Sequence, residues 1–554
     1  MQNTNIFKTF TNIFEKLYIF SKTSEFCNKD VVMVKNILFW PDVYKEQGHW
    51  LPTLKWAQVL HDQREDPEKL YSVSYMGIPD CESIIQHYNT GDTPPTPDSI
   101  STFPFHSIFQ NMYPKGYTTA SSSDPNERWK TWHIWAILYS QFTSISDVTS
   151  AGGRVPNEKL WEDAQSLRSA ITTVNPDLLV SGYFTSLESL LIHRIYNIPV
   201  VISTTYLRHP QDDPAIRARV NLQSFSKPEL YKIINMATRG EISTETPEID
   251  LQEFVRPLET FHELIPCPRE YEYDHYRHGD LVHYVDPCIT KELANSNPSL
   301  NSDGKPITWR DVKDENGQIV EYGIIDNKSK IIFVTAGSQV LDYEDKAKNL
   351  FHSMCKAMQS PQLQDCFLII AAGPKLVNSP EWKDYDKSQI LIASWVPQRE
   401  LLSDGDIKCA IIHGGLATIK ECIYFKRNFV INPLGKDQID NALRLRHLGL
   451  NNMLSMANVN TNSLLDAINR VTSDYRIHQK IEKLGNTFKE IEDADQNGNP
   501  KNIMTGFKII NDMMYPPPPE PEQDPELNPD DQEEPEQDPE LYPENPEDPN
   551  ANTD

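Results

Sequence analysis

Residues 394–449 read SWVPQRELLSDGDIKCAIIHGGLATIKECIYFKRNFVINPLGKDQIDNALRLRHLG, and their order decides the fold. Residues 410–412 form a short apolar run that reads as a buried strand. His413-Gly414-Gly415 is a turn where the backbone can come close to a ligand, and 417–425 carries a helical pattern. Residues 429–431 read as the next strand and 438–448 as the next helix. Strands alternating with helices in this way imply a parallel sheet with covered faces. The glycine turn suits a diphosphate, because a helix N-terminus offers unpaired N–H donors and partial positive charge. That is worth roughly 0.3–1 kcal/mol to an anion, and up to about 2 kcal/mol when partly buried. His413 and Thr418 can add side-chain donors. His-Gly-Gly taken alone is equally a plain strand-to-helix turn that needs glycine for its backbone.

The same alternation extends outward. Strands are expected at 331–335, 366–371 and 390–393, with a helix at 346–358. Nearer the start, a strand at 34–40 leads through a loop at 41–47 to a helix at 51–60, with Pro52 in its first turn. A helix at 161–173, strand at 177–180, helix at 187–196 and strand at 199–203 continue the pattern. The polar stretch 291–328 interrupts it and reads as a linker. The expected organisation is an extension at 1–32, a Rossmann-like domain at 33–290, the linker at 291–328, a second Rossmann-like domain with a C-terminal helix at 329–515, and a tail at 516–554. The fold class is α/β: two doubly wound domains facing a cleft, where a ligand sits beyond the carboxyl ends of the strands.

Composition agrees with two cores. The chain has 554 residues, 38% apolar and 10% aromatic, more than one core usually organises. Its net charge is −27, but 15 acidic residues and no Lys or Arg fall within 515–554, so −12 belongs to the rest. An acidic body argues against nucleic acid or anionic lipid as partners, since both need a cationic surface. The eight scattered cysteines show no C-x-x-C spacing and read as reduced core residues. No run reaches the 18 or so apolar residues of a membrane span, and no leader pattern opens the chain, so no integral membrane segment and a cytoplasmic location are expected. Met33 is a candidate start, and an amphipathic helix is the other reading of 1–32. In the tail, four prolines at 516–519 open a segment where Glu-Pro-Glu-Gln-Asp-Pro-Glu-Leu occurs at 520–527 and again at 534–541. This composition reads as disordered, extended and a candidate binding segment for an unknown protein.

In residues 394–449, Trp395-Val-Pro-Gln398, His413-Gly-Gly with Thr418 and Glu421, Pro433, Asp437-Gln438, Asn441-Ala442 and Gly449 occur in an order and spacing that resemble the donor-binding motif of family 1 glycosyltransferases. That family includes plant, bacterial-macrolide and animal UDP-sugar enzymes of the GT-B fold. The resemblance implies that Trp395 stacks on uracil, Gln398 contacts the nucleoside and Glu421 holds the ribose hydroxyls. It further implies that His413, Gly414, Gly415 and Thr418 hold the diphosphate, while Asp437-Gln438 hydrogen-bond the sugar. Phe333-Val-Thr-Ala-Gly337-Ser338 resembles the loop that opens the family's second domain, with Ser338 meeting a phosphate. Tyr284-Val-Asp-Pro287 is similar to the family's Val-Gly-Pro, with Asp286 in place of Gly. Bland readings stand beside these: Trp395 as core, Glu421 on a solvated helix face, and Asp437-Gln438 as a helix cap. Few Lys or Arg flank the motif, so helix dipole, glycine amides and His413 are expected to carry the phosphate.

The first domain resembles the family more loosely. Gly48-His49-Trp50-Leu51-Pro52 follows the first strand, where the family carries its catalytic histidine, and neutral imidazole suits a base that removes an acceptor hydroxyl proton. A plain loop or helix-start residue is the other reading of His49. The family's orienting Asp is expected five residues after Asp177, where Gly182 stands instead. Asp42 or Glu188 substituting, His49 acting with less help, and loss of activity are the open alternatives. Asp493-Ala-Asp495-Gln-Asn497-Gly498 imitates the start of a calcium loop but has Met504 at the twelfth position, so a polar turn before the last helix is preferred. The chemistry implied needs no metal or cofactor, the UDP-sugar being a co-substrate. The expected activity is inverting transfer of a hexosyl group, glucose, from a UDP-sugar to a hydroxyl of a small, partly apolar acceptor. A catalytically silent nucleotide-sugar-binding or scaffold protein is the alternative.

Overall fold

The computed structural model describes residues 34–44, 47–62, 70–89, 103–115, 129–240, 251–289, 311–313, 319–321, 330–337, 340–373, 375–382, 385–386, 389–394, 396–450, 454, 459–496 and 505–516. The extension 1–32, nearly all of the tail, Cys27, Ser338 and Trp395 lie outside the described residues, and so do the expectations made for them. β1 (Lys35–Trp40), β2 (Tyr71–Gly77), β3 (Phe105–Ser107), β4 (Leu178–Gly182), β5 (Val200–Ser203), β6 (His262–Ile265) and β7 (Val282–Tyr284) form one sheet in the order β3-β2-β1-β4-β5-β6-β7. Every pair in it is parallel. After a short antiparallel pair, β8 (Asp311–Lys313) with β9 (Ile319–Glu321), a second parallel sheet follows. It contains β10 (Lys330–Thr335), β11 (Cys366–Ala371), β12 (Ile390–Ala393), β13 (Ile407–Ile412) and β14 (Phe429–Ile431), in the order β12-β11-β10-β13-β14.

The strands are apolar along both faces, as Ile-Ile-Phe-Val in β10 illustrates, because helices cover both sides of each sheet. In each sheet the direction of winding reverses once, between β1 and β4 and between β10 and β13. Such reversals leave a crevice at the carboxyl ends of the two strands, which is where doubly wound folds bind ligands. No helix among the described residues is long and apolar enough to cross a membrane. The seven described cysteines are buried, and none forms a disulfide with another.

Several local expectations change. The first helix runs Gln47–Asp62, so Pro52 lies in its second turn and His49 in its first. Trp50 accounts for the earlier start: its side chain is fully buried, stacks on Tyr75 and donates from Nε1 to the Tyr44 carbonyl at 2.9 Å. Burying an indole outweighs the one backbone bond that proline removes. The polar stretch read as a linker contains the β8–β9 pair. Residues 493–496 belong to the helix Tyr475–Gln496, so no calcium loop begins there, and residues 497–504, where the polar turn was expected, lie outside the described residues. β2, β3 and the helix Trp129–Ser140 were not anticipated, the helix because it is apolar on nearly every side and lacks a clear period.

The two sheets' domains are joined by buried polar groups. Arg444 donates from Nε to Glu272 Oε1 at 2.6 Å, both side chains being nearly inaccessible. Tyr271 donates to the Asn441 carbonyl at 3.0 Å. Lys420 donates its buried ammonium to the carbonyls of Pro266 and Pro287. The last helix, Gly506–Met514, was expected with the second domain but bonds to the first. Asp286 accepts from the Gly506 amide at 2.9 Å and from Trp56 Nε1 at 3.3 Å, and Tyr71 donates to Asn511 at 2.7 Å. The Asp that replaces glycine at 286 is thus a buried carboxylate that caps the returning helix.

Candidate active site

The crevice between β10 and β13 is built around His413. β13 ends at Ile412, and the helix Leu416–Tyr424 starts after Gly415, where no side chain among the described residues caps its first N–H groups. The imidazole lies between two glycines: a Cβ on Gly337, which follows β10, or on Gly415 would approach the ring to 2.5 Å. Gly337 also has φ +78°, in the left-handed region. Only glycine meets both requirements at 337. His413 Nδ1 is buried without a hydrogen-bond partner, and desolvation pushes the imidazole pKa down to about 4. At neutral pH the ring is uncharged, so the anion-binding potential of this turn comes from the helix terminus and the open amides.

The neighbouring motif residues gather on the same helix and the next. Glu421, buried, accepts from Gln398 Nε2 through one oxygen and from Arg399 Nε at 2.8 Å through the other. Gln398 also reaches Thr418 Oγ1 at 3.3 Å. Glu421 therefore does not lie on a solvated face. Arg399 was missed, although a basic residue directly after Gln398 was visible in the sequence. Asp437 accepts from Asn441 Nδ2 at 3.0 Å, and its side chain bonds none of the amides that open the helix Gln438–His447. It is therefore not a cap. The buried Gln438 uses Oε1 to accept from the amides of Leu434 at 2.7 Å and Gly435 at 3.1 Å, closing the turn after β14. Asn441, fully buried, also donates to the Gly414 carbonyl at 3.1 Å, so the turn that holds His413 is tied to the helix that carries Gln438.

The second crevice, between β1 and β4, holds His49. Its Nδ1 is in direct contact with Asp42 Oδ2, and its ring stacks on Phe184 with centroids 5.2 Å apart and planes 26° off parallel. Asp42 is buried and accepts from the Tyr44 amide through Oδ1 at 3.3 Å. Phe184 in turn stacks on Tyr206 at 5.5 Å and carries the Arg217 guanidinium 5.4 Å from its centroid. Glu188 is engaged elsewhere, accepting from His133 Nε2 at 2.6 Å in the interior. Among the described residues, no group of three or more His, Cys, Asp or Glu is arranged to hold a metal ion.

Residues 331–492, which form the His413 crevice, match the family model described as UDP-glucoronosyl and UDP-glucosyl transferase. An uncharacterized UDP-glucosyltransferase of Bacillus subtilis (strain 168) is 30% identical over 172 residues, covering 30% of this chain and 40% of that protein. The 2-hydroxyacylsphingosine 1-beta-galactosyltransferase of Homo sapiens is 32% identical over 125 residues, 23% of this chain and 22% of that protein. These matches span less than half of either relative's length. Two solved structures share the fold: the calicheamicin glycosyltransferase, at TM-score 0.52 and 12% identity over 87% of this chain and all of that one, and a UDP-glucose:anthocyanidin 3-O-glucosyltransferase, at 0.52 and 13% over 84% and 98%. The architecture is GT-B, and the segment that forms the His413 crevice is similar to the UDP-glucoronosyl and UDP-glucosyl transferase family.

Proposed function

We propose that this protein is an inverting glycosyltransferase that moves a hexosyl group, glucose, from a UDP-sugar to a hydroxyl of a small, partly apolar acceptor. The observation that carries the reading is the pair of histidines at the two crevices, one against a carboxylate and one against an uncapped helix terminus. In the reaction the acceptor oxygen attacks the anomeric carbon, the bond from that carbon to the diphosphate breaks, and His49 takes the hydroxyl proton. The leaving diphosphate meets the amides after Gly414, with His413 adding a neutral hydrogen bond and Ser338 and Thr418 adding hydroxyls. Trp395 supplies the stacking face for uracil, Gln398 and Glu421 contact the nucleoside, and Asp437 and Gln438 meet the sugar. The Gln438 oxygen is committed to the loop, so its NH2 is the end that donates to a sugar hydroxyl.

The silent-scaffold alternative draws on the missing acid at 182 and on the tail, and the Asp42 contact supports the active reading on the first of these. A cytoplasmic location and a protein partner for the tail remain expectations from the sequence. His49→Ala should lower kcat by about 10²-fold or more with UDP affinity intact, the loss being smaller for acidic acceptors such as nitrophenols. Trp395→Ala should cost roughly 1–3 kcal/mol of UDP binding by calorimetry. Full activity of the His49 variant on an aliphatic alcohol would remove the base from the scheme, and unchanged UDP affinity in the folded Trp395 variant would remove the nucleotide site.

A further inference from the structure

We propose that Asp42, on the loop leaving β1, is the positioning carboxylate of His49, and that the close packing of β1 against β4 prevents position 182 from supplying it. The proposal rests on the reading of His49 as the base. In the parallel pair β1–β4, Trp40 stands opposite Ser181, so the next residues, Pro41 and Gly182, meet at the crevice. A Cβ on Gly182 would overlap the Pro41 carbonyl oxygen and lie 2.9 Å from the carbonyl carbon. Both obstructing atoms are backbone, so no rotamer relieves them. Ser181 Oγ donates to the Trp40 carbonyl at 3.3 Å, which holds the two strand ends in this relation.

The chain that fills the space above Gly182 is the chain that carries Asp42. Its two oxygens divide the work: Oδ1 accepts from the Tyr44 amide and steadies the loop, and Oδ2 meets the imidazole. A carboxylate only accepts, so Nδ1 carries the hydrogen of the neutral ring and Nε2 is the basic nitrogen. Phe184 covers a face of the ring, so edge and face are both held. Among the described residues, two other charged groups near this corner meet neighbouring rings: Arg217 lies over Phe184, and Asp212 accepts from Tyr183 at 2.8 Å. Glu188 is held by His133. Among the described residues Asp42 is a carboxylate in direct contact with the imidazole, and it stabilises the imidazolium formed when the acceptor proton arrives.

The test uses the full chain with Asp42→Asn, Asp42→Glu and His49→Asn. Rates are read with UDP-glucose, both as hydrolysis by water and as transfer to phenol, and the His49 pKa is read by NMR of histidine-labelled protein as the signal missing from His49→Asn. Asp42→Asn should lower kcat by about 10²-fold or more with UDP affinity within about twofold of wild type. Losing the anion should also lower the His49 pKa, and with it the rising limb of rate against pH, by about one unit or more. Asp42→Glu should recover part of both, which a purely structural role for the side chain would not produce. An unmoved His49 pKa in a folded Asp42→Asn protein overturns the proposal, as does a wild-type rate in Asp42→Asn while the His49 variant is slow. Wild-type rates in both variants would instead overturn the reading of His49 as base.

Discussion

The two crevices share a plan and differ in charge. Each lies where the strand order of its sheet reverses, each presents a histidine from the turn or first helical turn after a strand, and each is closed by a glycine from the adjacent strand's end. At β1/β4 the imidazole touches a buried carboxylate, an arrangement that favours holding a proton. At β10/β13 desolvation by burial pushes the imidazole pKa down to about 4, and no charged group among the described residues offsets it. In the proposed function the same side chain serves two tasks, proton acceptance in one domain and neutral hydrogen bonding beside an anion in the other.

The largest effect should come from filling the glycine at the β1/β4 crevice. Gly182→Ala forces the Pro41–Asp42 backbone away from β4, and overpacking of this kind typically costs about 1–3 kcal/mol. The same movement draws the Asp42 carboxylate away from His49. Denaturant melts and initial rates should show both effects, the rate falling by about 10²-fold. A protein with wild-type melt and rate would mean the close approach is unimportant. At the β10/β13 crevice, Gly337→Ala meets a left-handed φ and the His413 ring together. UDP affinity should fall about tenfold, or roughly 1.4 kcal/mol, with kcat at saturating donor changed much less.

Proton linkage separates the histidines further. The folded His413 pKa lies below its ordinary value of 6.5, so the unfolded chain binds more protons between about pH 6.5 and 4. Its contribution is fully present above pH 6.5 and is lost as pH falls through that window, at about 2 kcal/mol between pH 7 and pH 5. His413→Asn should flatten that part of the stability curve. A residual slope should persist, because burial also pushes His278 down to about 4. An unchanged slope would show that His413 is not desolvated. The smallest effect is expected at Arg399→Ala, which removes one of two donors to Glu421 and leaves Gln398 in place. UDP affinity should drop a few-fold in calorimetry, and no change would make the ion pair structural alone.

Much of the second domain was legible in the sequence. The strands at 366–371, 390–393 and 429–431 and the helix beginning at Gln438 appear where the pattern puts them, because short apolar runs between glycine turns admit few alternatives. The first domain was read less well. Its helix Trp129–Ser140 shows no clear period, and Trp50 moved a helix start that proline rules alone would place later.

The sequence by itself determined the doubly wound class, the histidine and glycines of the turn after β13, and His49 as the residue after the first strand to examine. These are local facts, carried by residue type, spacing and period. Tertiary structure alone decided which acid meets His49, which base meets Glu421, and which domain receives the last helix. Those partners lie 7, 22 and 220 residues apart in the chain, the last counted from Asp286 to Gly506. The Asp42 case shows why separation is not the whole reason. Asp42 and Glu188 were both candidates in the sequence, and the fold puts Asp42 against His49 and Glu188 against His133; a backbone approach such as that of Pro41 to Gly182 leaves no trace in either strand's own sequence.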